Sequence, residues 1–271
     1  MTIATVMVYV DAAQQAEEQV RVARDVANKF EASLIGVSAW AMPPPVVAEG
    51  VVVEAVTPDD VKRMKTMLAA KQDWFRTVVG LPKEKMEWRW DIENPAVFLA
   101  NEARAADLVV IKSAHNGRAQ DIEPAEAILR MGRPTIIAPE HVSELKADRI
   151  VVGWKDTREA RLAILHALPF FGQASEVVII ELCLASEQDV ARRRVQDVAN
   201  YLSLRGAKCR TDTRVYTAET DADHLLRLAK EARADLIVTG AYGHSRMGEW
   251  MFGGMTRDLL KKAPCCLMMS H

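Results

Sequence analysis

The chain has 271 residues, of which 49% are hydrophobic and 27% charged; 35 basic side chains stand against 37 acidic ones, a net charge of −2. That length suits one large or two ordinary domains, and the composition can fill real cores. Near-neutrality excludes the basic field that binding to nucleic acid or an anionic membrane surface requires, and no apolar run reaches the roughly 18 residues of a membrane span.

In chain order, the first half predicts strands near residues 3–10, 33–40, 86–91, 107–112 and 134–138, with helices near 13–31, 58–79, 94–104 and 121–131 between them. Met1 to Val10 enters the first strand with no basic leader. Thr57-Pro58 and Asn94-Pro95 read as an N-cap followed by proline at the first helical position. Residues 41–57, with Pro43-Pro44-Pro45 and a valine-rich patch around Gly50, read either as an extended excursion with an apolar part, able to pack on the other half or on a second chain in a homodimer, or as an ordinary surface loop. A short polar link, His141 to Asp148, leads into the second half. There, strands are expected near 149–154, 175–182, 208–216, 235–239 and 265–270, and helices near 157–169, 187–205, 220–232 and 254–263. Several strands are continuous Val/Ile/Leu runs, the pattern of parallel strands covered by helices on both faces. Each half therefore reads as a five-stranded, doubly wound α/β domain, at 1–140 and 148–271.

The two halves repeat one another. Ala106-Asp107-Leu108-Val109-Val110-Ile111 returns as Ala234-Asp235-Leu236-Ile237-Val238-Thr239, a spacing of 128 (106 to 234). Pro134 is answered by Pro264, a spacing of 130 (134 to 264), so the loop between is two residues longer in the second copy. Pairing of 134–138 with 265–270 would cover two edge strands and make an internal pseudo-dimer.

The longer loop holds the chemistry. Gly240 and Gly243 follow an apolar strand, and Gly253 and Gly254 open the next helix. Glycines there bring backbone N–H groups and the positive end of a helix dipole to one anion. Thr256 adds a hydroxyl, and His244 and Arg246 add positive charge from the loop. Trp250, Met251 and Phe252 read as packing residues. The first copy has Lys112-Ser113-Ala114-His115 and then Glu123-Pro124-Ala125-Glu126 in these positions; Pro124 lacks an N–H and Glu123 repels phosphate. One live and one degenerate site is the expectation.

These residues resemble the tandem universal stress proteins, whose nucleotide-binding members carry G-x2-G-x9-G-[ST] after the fourth strand. Gly240, Gly243 and Gly253 meet that spacing, Gly254 stands where Ser or Thr is usual, and the resemblance runs through the Gly153-Trp154-Lys155-Asp156 turn and the closing Met255-Thr256 helix. It implies ATP, ADP or AMP across the sheet edge, with Mg²⁺ as a companion of the phosphates. Gly243, Gly253, Gly254 and Thr256 would take the phosphates, with Met255 among the nucleotide-binding residues. Gly153, Trp154, Lys155, Asp156, Leu182 and Gly240 would take adenine and ribose. Lys155 stands where the family has an aspartate, and Asp156 comes one residue later. A regulatory stress-response role through nucleotide-dependent conformation or partner binding follows from the resemblance.

Two other classes compete: a nucleotide-free scaffold, and a slow ATP hydrolase. No G-x4-G-K-[ST] loop is present, and the turns after the first strands lack the Ser/Gly-rich loop of ATP pyrophosphatases. His224, beside Asp221 and Asp223, reads as part of a helix cap and solvated face; His166 reads as a helix-surface or core-edge residue, and no catalytic residue is assigned. No cluster has metal-ligand spacing. Cys183, Cys209, Cys265 and Cys266 form no Cys-x-x-Cys pair, so reduced thiols in a cytoplasmic protein are expected.

Overall fold

The computed structural model of the protein describes residues 2–13, 17–42, 46–48, 51–53, 56–113, 121–242 and 254–271. The first half runs β1 (Thr5–Tyr9), α1 (Glu18–Phe30), β2 (Ser33–Ala39), β3 (Val46–Ala48), β4 (Val51–Val53), α2 (Pro58–Val79), β5 (Met86–Asp91), α3 (Pro95–Glu102), β6 (Leu108–Lys112), α4 (Pro124–Met131) and β7 (Thr135–Ala138). The second half runs β8 (Arg149–Trp154), α5 (Arg158–Phe171), β9 (Glu176–Cys183), α6 (Gln188–Ser203), β10 (Cys209–Val215), α7 (Asp221–Glu231), β11 (Leu236–Gly240), α8 (Gly254–Lys262) and β12 (Cys266–Ser270).

Ten of these strands form one sheet, in the order β10-β9-β8-β11-β12-β7-β6-β1-β2-β5. Every neighbouring pair is parallel except β12 and β7, which run antiparallel with Met268 opposite Ile136. Each half thus contributes five parallel strands with the same winding. Residues 41–57, expected as an excursion or loop, include a small antiparallel ribbon of β3 and β4; Pro43, Pro44 and Pro45 lie outside the described residues.

Helices cover both faces. On one face α1, α2, α5 and α6 pack over Val6, Val8, Leu34, Val152, Val177 and Met268. On the other, α3, α4, α7 and α8 pack over Met7, Ile35, Val109, Val151, Ile237 and Leu267. Alternate residues of a strand feed opposite layers, so a strand buried on both sides must be apolar throughout. Burying each of these large aliphatic side chains stabilises the fold by about 1.5–3 kcal/mol.

Helix starts follow the local sequence. The Thr57 side chain accepts from Asp60 N while Asp60 returns the bond to Thr57 N, ahead of Pro58. Asn94 Oδ1 accepts from Ala96 N and Val97 N at 3.0 and 3.2 Å. The link between the halves departs from its polar reading. Leu145 and Ala147 are buried in the first layer, Leu145 N donates to Asp25 Oδ2 at 3.1 Å, and Lys29 Nζ donates to Lys146 O at 2.8 Å. The link is a strap laid along α1.

The repeated Ala-Asp-Leu motif has a structural task. Asp107 accepts from Ala4 N and Thr5 N at 2.8 and 3.0 Å. Asp235 accepts from Asp148 N and Arg149 N at 3.0 and 3.1 Å. Each carboxylate therefore holds the first N–H groups of the strand that starts its half, in register with the fourth. Hydrogen bonds to a charged group contribute about 1.5–3 kcal/mol. Asp107→Ala and Asp235→Ala are each expected to lower unfolding free energy by about 1–3 kcal/mol in urea denaturation; a loss confined to one of them would contradict the shared role.

Candidate functional site

Strand β8 lies between β9 and β11. The chain leaves β8 through α5 on one face, and β11 is entered through α7 on the other. That winding reversal leaves a crevice beyond the carboxyl ends of the strands. A cavity of about 340 Å³ occupies it, lined by Gly153, Trp154, Lys155, Thr157, Ala160, Ile180, Leu182, Tyr216, Asp221, Leu225, Thr239, Gly240, Tyr242, Gly254, Met255 and Thr256.

Three helices begin at its wall. Thr157 caps α5, accepting from Ala160 N at 3.3 Å. Thr220 caps α7, accepting from Asp223 N at 3.2 Å. Helix α8 opens with Gly254, Met255 and Thr256. Helix α5 has Glu159 in its first turn, and α7 has Asp221 and Asp223. The first turn of α8 has no acid, so its positive end is the one left for an anion.

Gly240 and Gly153 are there for close packing. A Cβ on Gly240 would sit 2.6 Å from Ala160 N and 2.7 Å from Glu159 C. In the structure this glycine lets the first turn of α5 lie against the end of β11. A Cβ on Gly153 would meet Leu225 Cδ2 at 2.7 Å, on the cavity floor. Among the described residues nothing lies within 4 Å of a Cβ placed on Gly254. Thr256 is buried, and its Oγ1 lies 3.5 Å from the N–H of Tyr242 as an acceptor, which leaves the hydroxyl proton to be donated elsewhere.

Tyr242 leaves β11 with φ at 60°, in the left-handed region. A non-glycine residue there costs about 1–2 kcal/mol, and such strain concentrates at working sites. Burial, and after it the charge of Glu123 from the first half, push the Tyr242 hydroxyl up to about 12. The C-terminal His271 ring stands beside it, its Nδ1 3.1 Å from Ala241 O.

Of the residues singled out from sequence, Gly153, Trp154, Lys155, Leu182, Gly240, Gly254, Met255 and Thr256 come together at this cavity. Asp156 does not. Its carboxylate pairs with Arg161, and it lines a separate cavity of about 480 Å³ between α5 and α6. The Trp154 indole belongs to the α5-side core. Gly243, His244, Arg246 and Gly253, with Trp250, Met251 and Phe252, lie outside the described residues. Sequence reading missed Tyr216 and Asp221 as wall residues, and Ile180 and Leu225 as apolar floor. No motif marks them, because they come from β9, the end of β10 and α7, far apart in the chain.

His224, read as solvated, is buried; Thr220 makes the cap, and Asp223 Oδ1 instead accepts from Lys262 Nζ at 2.9 Å, tying α7 to α8. His166 is half-buried, with Nδ1 2.9 Å from Ser270 Oγ. The four cysteines are free thiols, and burial drives that of Cys265 up to about 12. Among the described residues no His, Cys, Asp and Glu cluster could hold a metal ion, and no helix is long and apolar enough to cross a membrane.

Residues 155–271 match the model of the Universal stress protein family. Over the whole chain the fold is similar to that of a universal stress protein from Archaeoglobus fulgidus DSM 4304, with a TM-score of 0.75, 11% identity, and coverage of 98% of this chain and 97% of that one. It is also similar to a protein of unknown function from Pseudomonas aeruginosa PAO1, with a TM-score of 0.63, 11% identity and coverage of 99% and 92%. No curated protein matches the chain in sequence. Residues 155–271 are therefore a universal stress protein domain, and the chain as a whole shares the fold of the archaeal structure.

Two outcomes follow from the packing. Gly240→Ala should cost about 1–3 kcal/mol, because backbone of α5 must move, while Gly254→Ala should stay within about 0.5 kcal/mol; urea midpoints compare them, and equal costs would refute the close approach. The second concerns alkaline pH. The folded-state value of Tyr242, about 12, lies above the ordinary 10.0, so the stability it confers is full below pH 10 and lost as pH rises toward 12. Wild type should lose stability more steeply than Tyr242→Phe across that window, and parallel curves would refute a buried phenol.

Proposed function

We propose that residues 148–271 bind one adenine nucleotide, ATP or its hydrolysis products ADP and AMP, and that occupancy changes the conformation or partner surface of a regulatory stress protein. The observation that carries this reading is the cavity at the winding reversal, with the acid-free N-terminus of α8 at one end and an apolar floor at the other. Its volume of about 340 Å³ lies within the range of about 300–1,000 Å³ of small-molecule sites. In this reading the phosphates meet the first N–H groups of α8, the Thr256 hydroxyl and the Lys155 ammonium. The base rests on Ile180, Leu182 and Leu225. Mg²⁺ travels with the phosphates.

Residues 1–140 are the companion domain in the same proposal. Helix α4 starts with Glu123 and Pro124 at the place where α8 starts with Gly254, so an acid and a missing N–H replace the phosphate donors. In this reading the two domains act as an internal pseudo-dimer, supported by the antiparallel pairing of β7 with β12.

Heat release of small molecules from freshly purified protein, read by mass spectrometry, should return an adenine nucleotide near one per chain. Protein that emerges empty and gives no calorimetric signal with ATP would support the nucleotide-free scaffold, and sustained ATP turnover would support the hydrolase. Gly254→Glu supplies the variant. Among the described residues nothing crowds the position, and a carboxylate at a helix N-terminus is neutral or favourable for the fold. It should leave the thermal midpoint nearly unchanged and weaken ATP binding at least about 30-fold, an order set by charge repulsion of about 2 kcal/mol. Unchanged affinity would sink the α8 assignment.

A further inference from the structure

Asp221 is a carboxylate on the cavity wall that the phosphate chemistry does not use. Along the sheet edge the order is β10, β9, β8, β11. Tyr216 follows β10, with its N–H donating to Cys183 O at 3.0 Å; Asp221 is the first residue of α7; Gly254 and Thr256 belong to the helix after β11. Three strand spacings separate the β10 end from the β11 end, about 14 Å. The cavity is therefore a cleft with two chemically opposite ends, and its polarity sets how a nucleotide lies. A phosphate is drawn to α8 and repelled from the first turn of α7, where Asp221 and Asp223 sit. The base must go to the α7 end. There Leu182 supplies apolar surface, and Tyr216 stands close enough to Asp221 that the carboxylate's charge adds to burial in raising the phenol's pKa.

An ionised carboxylate only accepts hydrogen bonds. Resting on the nucleotide reading above, we propose that Asp221 reads the base, accepting from the exocyclic 6-amino group, so that the cavity selects 6-amino over 6-oxo purine nucleotides. A 6-amino group donates to the carboxylate. A 6-oxo group turns lone pairs toward it and leaves an anion without a partner, the kind of mismatch that polar sites reject most strongly. Asp221 is exposed in the unliganded cleft, so water tempers the effect, and the expected preference is about 10- to 100-fold.

Isothermal titration of wild type and Asp221→Asn with ATP, ITP and 2′-deoxy-ATP tests it. Wild type should bind ATP about 10- to 100-fold more tightly than ITP, with 2′-deoxy-ATP close to ATP. In Asp221→Asn the amide donates to a 6-oxo group, so the ATP/ITP ratio should collapse to within about threefold, chiefly through tighter ITP binding. Melting curves of the two proteins should lie close together, since the side chain is exposed and only a weak interaction with the α7 dipole is lost. An ATP/ITP ratio unmoved by the substitution overturns the inference while leaving nucleotide binding in place. A substitution that instead changes the ATP/2′-deoxy-ATP ratio puts the carboxylate on the ribose and overturns it too. Wild type that binds none of the three defeats the nucleotide reading itself.

Discussion

Where β8 ends, its chain turns into α5 on one face of the sheet, while β11 beside it is fed by α7 from the other. The two strands share a register, Gly153 opposite Thr239, yet their helices diverge, and among the described residues a cavity is left between them. The crevice is a consequence of topology, and side chains only decide its chemistry. Gly240 lets the first turn of α5 come down onto the end of β11, and Gly153 lets Leu225 of α7 come down onto β8. Two residues without side chains thus allow both helices to close on the sheet, and the N-termini of α5, α7 and α8 converge on one volume.

Convergence alone does not make an anion site, and here the three helix ends are differentiated. Two carry acids in their first turn; α8 does not. The cleft is then polarised along its length, donors at one end and a carboxylate at the other. The same comparison separates the halves of the chain. Helix α4 sits in the first half as α8 sits in the second, but opens on Glu123 and Pro124. The scaffold is repeated in detail, down to the aspartates at 107 and 235 that hold the start of each half, while the residues that would meet phosphate are not. The halves also touch electrostatically, since Glu123 acts on Tyr242 at the mouth of the second-half cavity.

The strand and helix pattern, the repeat and the two-sided burial of the sheet were legible from residues 3 to 270, because local spacing of apolar side chains reports which face meets a neighbour. Caps at Thr57 and Asn94 were legible for the same reason: donor and acceptor lie within four residues. The glycines at 240 and 254 and the threonine at 256, singled out from spacing, and the glycine at 153, implied by the resemblance, line the cavity. The readings of Asp156 and His224 could not survive the fold. Asp156 is one residue from Lys155, and consecutive residues leaving a strand point to opposite sides, so it meets Arg161 between α5 and α6. His224 has acidic neighbours in sequence, but α7 turns it into the protein.

By itself, then, the order of residues determined the class of fold, the duplication and the strand-loop-helix segment with its glycines, all of which depend on contacts within a few turns of chain. Only the tertiary structure decided that Tyr216, Asp221, Ile180 and Leu225 complete the cavity wall, that the link at 141–148 is strapped to α1, and that Gly240 serves packing. Those facts rest on distances between elements that parallel winding brings together from across more than a hundred residues, and such proximity leaves no periodic mark along the chain.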